Sequence, residues 1–113
     1  MRVAYNKLVR DQIPSIIAAA GSQPSTRVLD HVSYRSALRT KLLEEASEAQ
    51  AAPDERLPSE LADVLEVIRA LAKAHDMSWE DIEIEADRKR AERGGFDRRI
   101  FLEYVDQADH TTR

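Results

Sequence analysis

Five acidic residues stand in two tight clusters, Glu44-Glu45-x-x-Glu48 and Glu60-x-x-Asp63, inside segments whose other residues repeat as the core-facing side of a helix. A helix turns about 100° per residue, so positions three or four apart share a face and each cluster points its carboxylates in one direction. With Leu38 at zero on a helical wheel, Leu42, Ala49 and Ala46 fall within about 80° on one side and Glu45 about 20° away on the other. Glu45 therefore sits inside the apolar stripe, Glu48 at its edge, and Glu44 further towards solvent. On the second segment Leu61, Leu65, Ile68 and Ala72 form a stripe that Val64, Leu71 and Val67 widen to roughly 160°, with Glu60 inside the arc and Asp63 just beyond it.

Burying a lone carboxylate costs several kcal/mol, so acids on two core-facing stripes require a partner. No lysine or arginine is expected on those stripes between them. A divalent cation held where two antiparallel helices face each other resolves the conflict. Four or five hard oxygen ligands suit Mg²⁺ or Mn²⁺, which points to work on phosphates. A ferritin-like di-iron site also clusters carboxylates between helices, but it needs Glu-x-x-His pairs, which this sequence lacks. His31, His75 and His110 stand apart from the acids, so an all-oxygen site is favoured over iron or zinc. The plainer reading, solvated helix surface, is natural in a chain with 34% charged residues and suits Glu44 taken alone.

The Glu-Glu-x-x-Glu then Glu-x-x-Asp pattern resembles the signature of the all-α nucleotide pyrophosphohydrolases, the superfamily of MazG, all-α dUTPases and phosphoribosyl-ATP pyrophosphohydrolase. The opening Tyr5-Asn6-Lys7-Leu8-Val9-Arg10-Asp11-Gln12-Ile13-Pro14 and the late Arg93-Gly94-Gly95-Phe96 resemble a compact MazG-like branch described as house-cleaning NTP pyrophosphatases. The resemblance runs from about Tyr5 to Val105. The eleven residues between Glu48 and Glu60 are at the short end for the superfamily.

This resemblance implies a single all-α domain over residues 1–113, an antiparallel bundle of about four helices with short extended pieces near both termini. It implies hydrolysis of a nucleoside triphosphate between the α and β phosphorus atoms, yielding a monophosphate and pyrophosphate, with a noncanonical or deoxy nucleotide as substrate. Glu45, Glu48, Glu60 and Asp63 would hold Mg²⁺ or Mn²⁺, with Glu44 a further candidate. Glu45 or Glu48 would accept a proton from water, and no covalent nucleophile is required. An NTP brings about four negative charges, so basic side chains should complete the site. Lys7 and Arg10 are candidates on the first segment, and Lys89 and Arg93 on the last long one, where Lys89 can alternatively pair with Glu85.

Two other readings compete. One is a catalytically idle helical module acting through dimerisation or partner binding; the other is a phosphoribosyl-ATP type of hydrolase, against which the Lys-Leu-Val-Arg-Asp opening argues. A chain of 113 residues makes one domain for which oligomerisation adds useful burial, so a homodimer or homotetramer is expected. With 5% aromatic residues, the core is expected from Leu, Ile, Val and Ala, as in packed helices. The net charge of −4 offers no general footprint for a nucleic acid polymer. Absence of cysteine removes disulfides and thiolate chemistry. No apolar run reaches the roughly 18 residues of a membrane span and no signal-peptide core is visible, so a soluble cytoplasmic protein is expected.

Punctuation places the elements. Lys7 to Ala20 reads as helical, with Pro14 interrupting it or starting a second short helix and Gly21 as its stop. After a loop and a short extended piece near Arg27 to Leu29, Asp30 or Ser33 caps a long helix to about Ala52. Pro53 closes that helix, and Pro58-Ser59 opens the next, which runs to roughly His75. Ser78 caps a last helix ending at Gly94. Residues Ile100 to Val105 alternate like a short strand, and Trp79 and Phe96 are read as core anchors.

Overall fold

The computed structural model describes residues 1–108. The protein is all-α: the described residues form four α-helices, α1 (Ile13–Ala19), α2 (His31–Ala51), α3 (Leu57–Ala74) and α4 (Trp79–Arg93), with one 3₁₀ turn at Asp54–Arg56 and no strand. Contacts divide the chain into two units, Met1–Ile82 and Glu83–Arg113.

Within the first unit, α2 and α3 pack on each other as an antiparallel hairpin. The Asp30 side chain caps α2 by accepting from the backbone N–H of Ser33 at 2.8 Å, so Asp30, rather than Ser33, is the N-cap. Pro53 stands one residue beyond the C-cap, Ala52, where it cannot continue the helix. Residues 52–56 then turn the chain, and Pro58 lies in the first turn of α3, where its missing N–H costs nothing. The short spacing between the acid clusters follows from this economy: of the eleven intervening residues, Ala49–Ala51 still belong to α2 and Leu57–Ser59 already belong to α3. At the far end of the hairpin, Arg35 Nε donates to the carbonyl of Ala74 at 3.0 Å, tying the start of α2 to the last turn of α3.

Among the described residues, the buried apolar side chains are Leu38 on α2 and Val67 and Ala72 on α3, and the buried charged residue is Glu45, only 7% exposed. Leu42 and Ala49 are half-buried on the expected stripe, as are Val64, Leu65, Ile68 and Leu71. Ala46 and Leu61, placed on the stripes by the wheel, are instead exposed in the single chain. Ala46 lies at the margin of its arc, where one helix facing another covers less than the full apolar width.

Three other expectations are corrected. The first helix begins at Ile13, not Lys7: Pro14 occupies its first turn, and Asn6, with φ 46°, turns the chain before it. Lys7 and Arg10 therefore lie on irregular backbone. Gly21, at φ 97°, does stop this helix, its N–H bonding Ala18 while that of Ser22 reaches back to Ile17. Residues 100–105 form no strand, because alternation makes a strand only where another edge offers backbone partners. Phe96 is exposed, so it anchors no core here. Trp79 is half-buried, with the Arg69 guanidinium 5.1 Å from its ring centroid.

The α4 start is a reciprocal cap, Ser78 N–H to Asp81 Oδ2 at 2.9 Å and Asp81 N–H to Ser78 Oγ at 3.1 Å. In the second unit, Glu85 pairs with Arg88 rather than Lys89, and Arg88 also reaches Glu92 at 2.8 Å. Gly94, at φ 85°, ends α4 as a helix stop.

The backbone hydrogen bond from Ser33 holds the Asp30 carboxyl below its ordinary value of 3.8. A lowered carboxylate contributes stability above its unfolded value and loses it as the pH falls through the folded one. Asp30→Ala should therefore lower the melting temperature at pH 7, and the gap from wild type should close as the pH is taken well below 3.8. Melts followed by circular dichroism across pH 2 to 7 check this; a constant gap would mean that Asp30 acts other than as an ionised cap.

Candidate metal centre

The helix hairpin carries the two acid clusters to one place. One ligand oxygen each from Glu45 on α2 and Glu60 and Asp63 on α3 lie within 4.8 Å of one another. The spacing inside each cluster sets which side chains converge. Glu60 and Asp63 are three residues apart on one face of α3, and Glu45 faces them from the buried seam of α2. Oε2 of Glu45 and Oε2 of Glu60 are buried and have no hydrogen-bond partner. Unpartnered buried carboxylate oxygens are costly, and a set of hard oxygen donors at this separation fits a small divalent cation better than any softer metal. Glu48 is exposed and lies outside this convergent set.

The electrostatics differ from the expectation in one respect. Lys41, one turn before Glu45, is on the stripe after all, with its side chain 15% exposed. Its Nζ lies 3.1 Å from Oε1 of Glu44 and 3.2 Å from Oε1 of Glu45. Burial disfavours the ammonium, but its hydrogen bonds to Glu44 and Glu45 outweigh that and hold it above the ordinary lysine value. The spacing Lys41–Glu45 was legible as an i, i+4 pair. Two cations arrive from the irregular N-terminal segment: Lys7 Nζ lies 3.7 Å from Glu44 Oε1, and Arg10 Nη2 donates to Asp63 Oδ1 at 2.6 Å. Glu44, Glu45 and Asp63 thus meet three cations, whereas Glu48 and Glu60 pair with none of them, and the five carboxylates outnumber these cations.

Glu48 is pushed above the ordinary carboxylate value of 4.5, first by the hydrogen bond it can share with Glu45 when protonated, then by the charge of Glu45, with Glu60 and Glu44 adding to it. It takes part in none of the ion pairs among the described residues. Beside it a concavity of about 380 Å³ is lined by Glu48, Ala51, Ala52, Arg56 and Glu60. Arg56, from the 3₁₀ turn, went unmarked in the sequence because nothing in its local pattern tells that the turn folds against the acids.

Of the sequence candidates, the structure brings together Glu45, Glu60 and Asp63, with Glu44, Lys7 and Arg10 around them and Glu48 at the mouth of the concavity. Lys89 and Arg93 belong to the second unit, on exposed positions of α4. His31 and His75 are outside the convergent set; His110 lies outside the described residues.

No family model matches the chain, and no solved structure matches it. A stretch of 46 residues, 41% of this chain, is 48% identical to an uncharacterized protein of Mycolicibacterium smegmatis (strain ATCC 700084 / mc(2)155). The matched stretch covers 47% of that relative, so the chain spans about half the length of the curated protein it matches.

A carboxyl raised on folding contributes stability below its unfolded value and loses it as the pH rises through the folded one. In EDTA, Glu48→Gln should therefore melt close to wild type at pH 4 and increasingly above it as the pH rises from 4.5 towards 7. Saturating Mg²⁺ should shrink that advantage by neutralising the repulsion. A wild type that stays level with the variant across this window would show that Glu48 feels no repulsion from Glu45.

Proposed function

We propose that the protein is a divalent-cation-dependent nucleoside triphosphate pyrophosphohydrolase that releases pyrophosphate from a noncanonical or deoxy nucleotide. One observation carries the reading: carboxylates from two helices converge on a seam where two of their buried oxygens lack partners. The signature pattern supplies the choice of α–β cleavage, since the carboxylates alone would equally suit another phosphoester or phosphoanhydride hydrolase.

Glu45, Glu60 and Asp63 would hold Mg²⁺ or Mn²⁺. When bound, such an ion supplies Lewis-acid polarisation of phosphate oxygens and a water that deprotonates more easily. Glu48 is the better general base of the two candidates, because it is exposed, lies outside the convergent set, and has its pKa pushed towards the working range. Glu45 has one oxygen committed to Lys41. Arg10 and Lys7 are within reach of the same acids and are suited to meet phosphate oxygens, and Arg56 offers a further guanidinium at the concavity.

Self-association as a homodimer or homotetramer belongs to this reading. Leu38, Val67 and Ala72 make a small core for a hairpin that leaves Leu43 and Leu61 exposed, and an oligomer would bury more.

One observation favours a second reading, a catalytically idle helical interaction module: Lys7, Lys41 and Arg10 already meet these acids. Pyrophosphate release from a panel of ordinary, deoxy and modified NTPs, with Mg²⁺, Mn²⁺ or EDTA, separates the two. Hydrolysis should need the metal, and Glu48→Gln should lower kcat by about 100-fold or more with its helical spectrum intact. A near-normal rate in the variant would remove Glu48 from the base role. A folded wild type that is silent across the panel, with a melting temperature indifferent to Mg²⁺, would favour the idle module.

A further inference from the structure

We propose that Lys41 is a positioning residue of the metal centre, which holds Glu45 by one oxygen and so presents the other to the cation. The inference rests on the reading of Glu45, Glu60 and Asp63 as a divalent-cation site. It goes beyond that reading by assigning a lysine whose charge, taken alone, opposes metal binding.

The geometry divides Glu45 into two halves. Oε1 faces the Lys41 ammonium at 3.2 Å, while Oε2 is buried with no partner. The residue is 7% exposed, so water cannot take over either role freely. A carboxylate anchored at one oxygen and unpartnered at the other is prepared to act as a monodentate ligand, and its orientation is decided before any ion arrives. The same ammonium lies 3.1 Å from Oε1 of Glu44, which in turn lies 3.7 Å from Lys7. Glu44 therefore serves as the other anchor of Lys41, more than as a ligand. Glu44 is absent from the convergent set. Lys41 is itself mostly covered, with its side chain 15% exposed, and it lies one turn from Glu45 on one helix, so little freedom is left to either group. Groups that orient a metal ligand in this way commonly change metal affinity about 10–100-fold when removed.

Two physical effects predict opposite signs, and this makes the assignment testable. If Lys41 is only a competing counter-ion, deleting its charge leaves the acid cluster more negative and strengthens cation binding. If Lys41 positions Glu45, deleting it frees the carboxylate to rotate and weakens binding despite the gain in negative charge. The experiment is titration of the full chain with Mn²⁺ alone and with Mg²⁺ alone, by calorimetry and by Mn²⁺ electron paramagnetic resonance, for wild type, Lys41→Met and Lys41→Arg. Positioning predicts that Lys41→Met binds Mn²⁺ about 10-fold or more weakly, while Lys41→Arg, which can still span to Oε1, stays within about 3-fold of wild type. Circular dichroism confirms that each variant is folded; should Lys41→Met not fold, Lys41→Gln is titrated in its place and the same sign decides.

Equal or tighter Mn²⁺ binding in the folded uncharged variant overturns the positioning role and leaves Lys41 a counter-ion. Equal weakening in Lys41→Met and Lys41→Arg also overturns it, because the loss would then follow from disturbed packing. Absence of Mn²⁺ and Mg²⁺ binding by the wild type is a different failure. It would remove the metal site itself, and with it the ground for assigning Lys41.

Discussion

A carboxylate buried between two helices is the constraint around which the hairpin is organised. Glu45 lies buried in the α2–α3 seam, facing Glu60 and Asp63, and an uncompensated charge there would cost several kcal/mol in a hairpin with so small an apolar core. Lys41 meets one of its oxygens, and the second has no donor. Everything chemically suggestive in the first unit follows from this half-satisfied state. Glu60 and Asp63 reach the same place from α3, so the seam holds more negative charge than an apolar contact would tolerate. Retaining such a cluster makes physical sense where the unsatisfied oxygens have a use, since replacing buried charges with apolar side chains commonly stabilises a fold.

The N-terminal segment gains its place from the same charge. Lys7 and Arg10 lie on irregular backbone and pair with Glu44 and Asp63 of the hairpin. Ion pairs this exposed contribute little to stability and are screened by salt. They are accordingly well suited to exchange partners: under the proposed function, a cation entering the cluster would weaken the hold of the acids on Lys7 and Arg10, and phosphate oxygens would offer these side chains an alternative partner. Stability and proposed function thus draw on different groups, with the apolar seam and the caps of α2 and α4 supporting the fold and the cations at the rim left adjustable.

The fold was legible wherever the cause is local. Asp30, Pro53, Pro58, Ser78 and Gly94 mark helix ends through hydrogen bonds and dihedral limits that operate within a few residues, and the helices begin and end beside them. Legibility failed where the outcome depends on a partner. Residues 100–105 alternate as a strand would but have no edge to pair with, and Phe96 has the composition of a core anchor but is exposed. Lys7 to Gln12 carry no strong breaker, yet Pro14 can sit only in the first turn of a helix, and this pushes the start of α1 to Ile13.

By itself the sequence determined that two helices would each carry acids on or beside an apolar stripe, because a period of 3.6 residues turns the spacings Glu45 to Glu48 and Glu60 to Asp63 into shared faces. It determined too that these acids would need a positive partner. Only the tertiary structure decided which acids meet and what already neutralises them. The antiparallel hairpin selects Glu45, Glu60 and Asp63 and leaves Glu48 at the rim, while Lys41, Lys7 and Arg10 fill part of the demand for charge. The physical reason is that a helical face is set by angles along one chain, whereas a constellation of charges is set by distances between elements. Electrostatic energy depends on those distances and on the burial they bring.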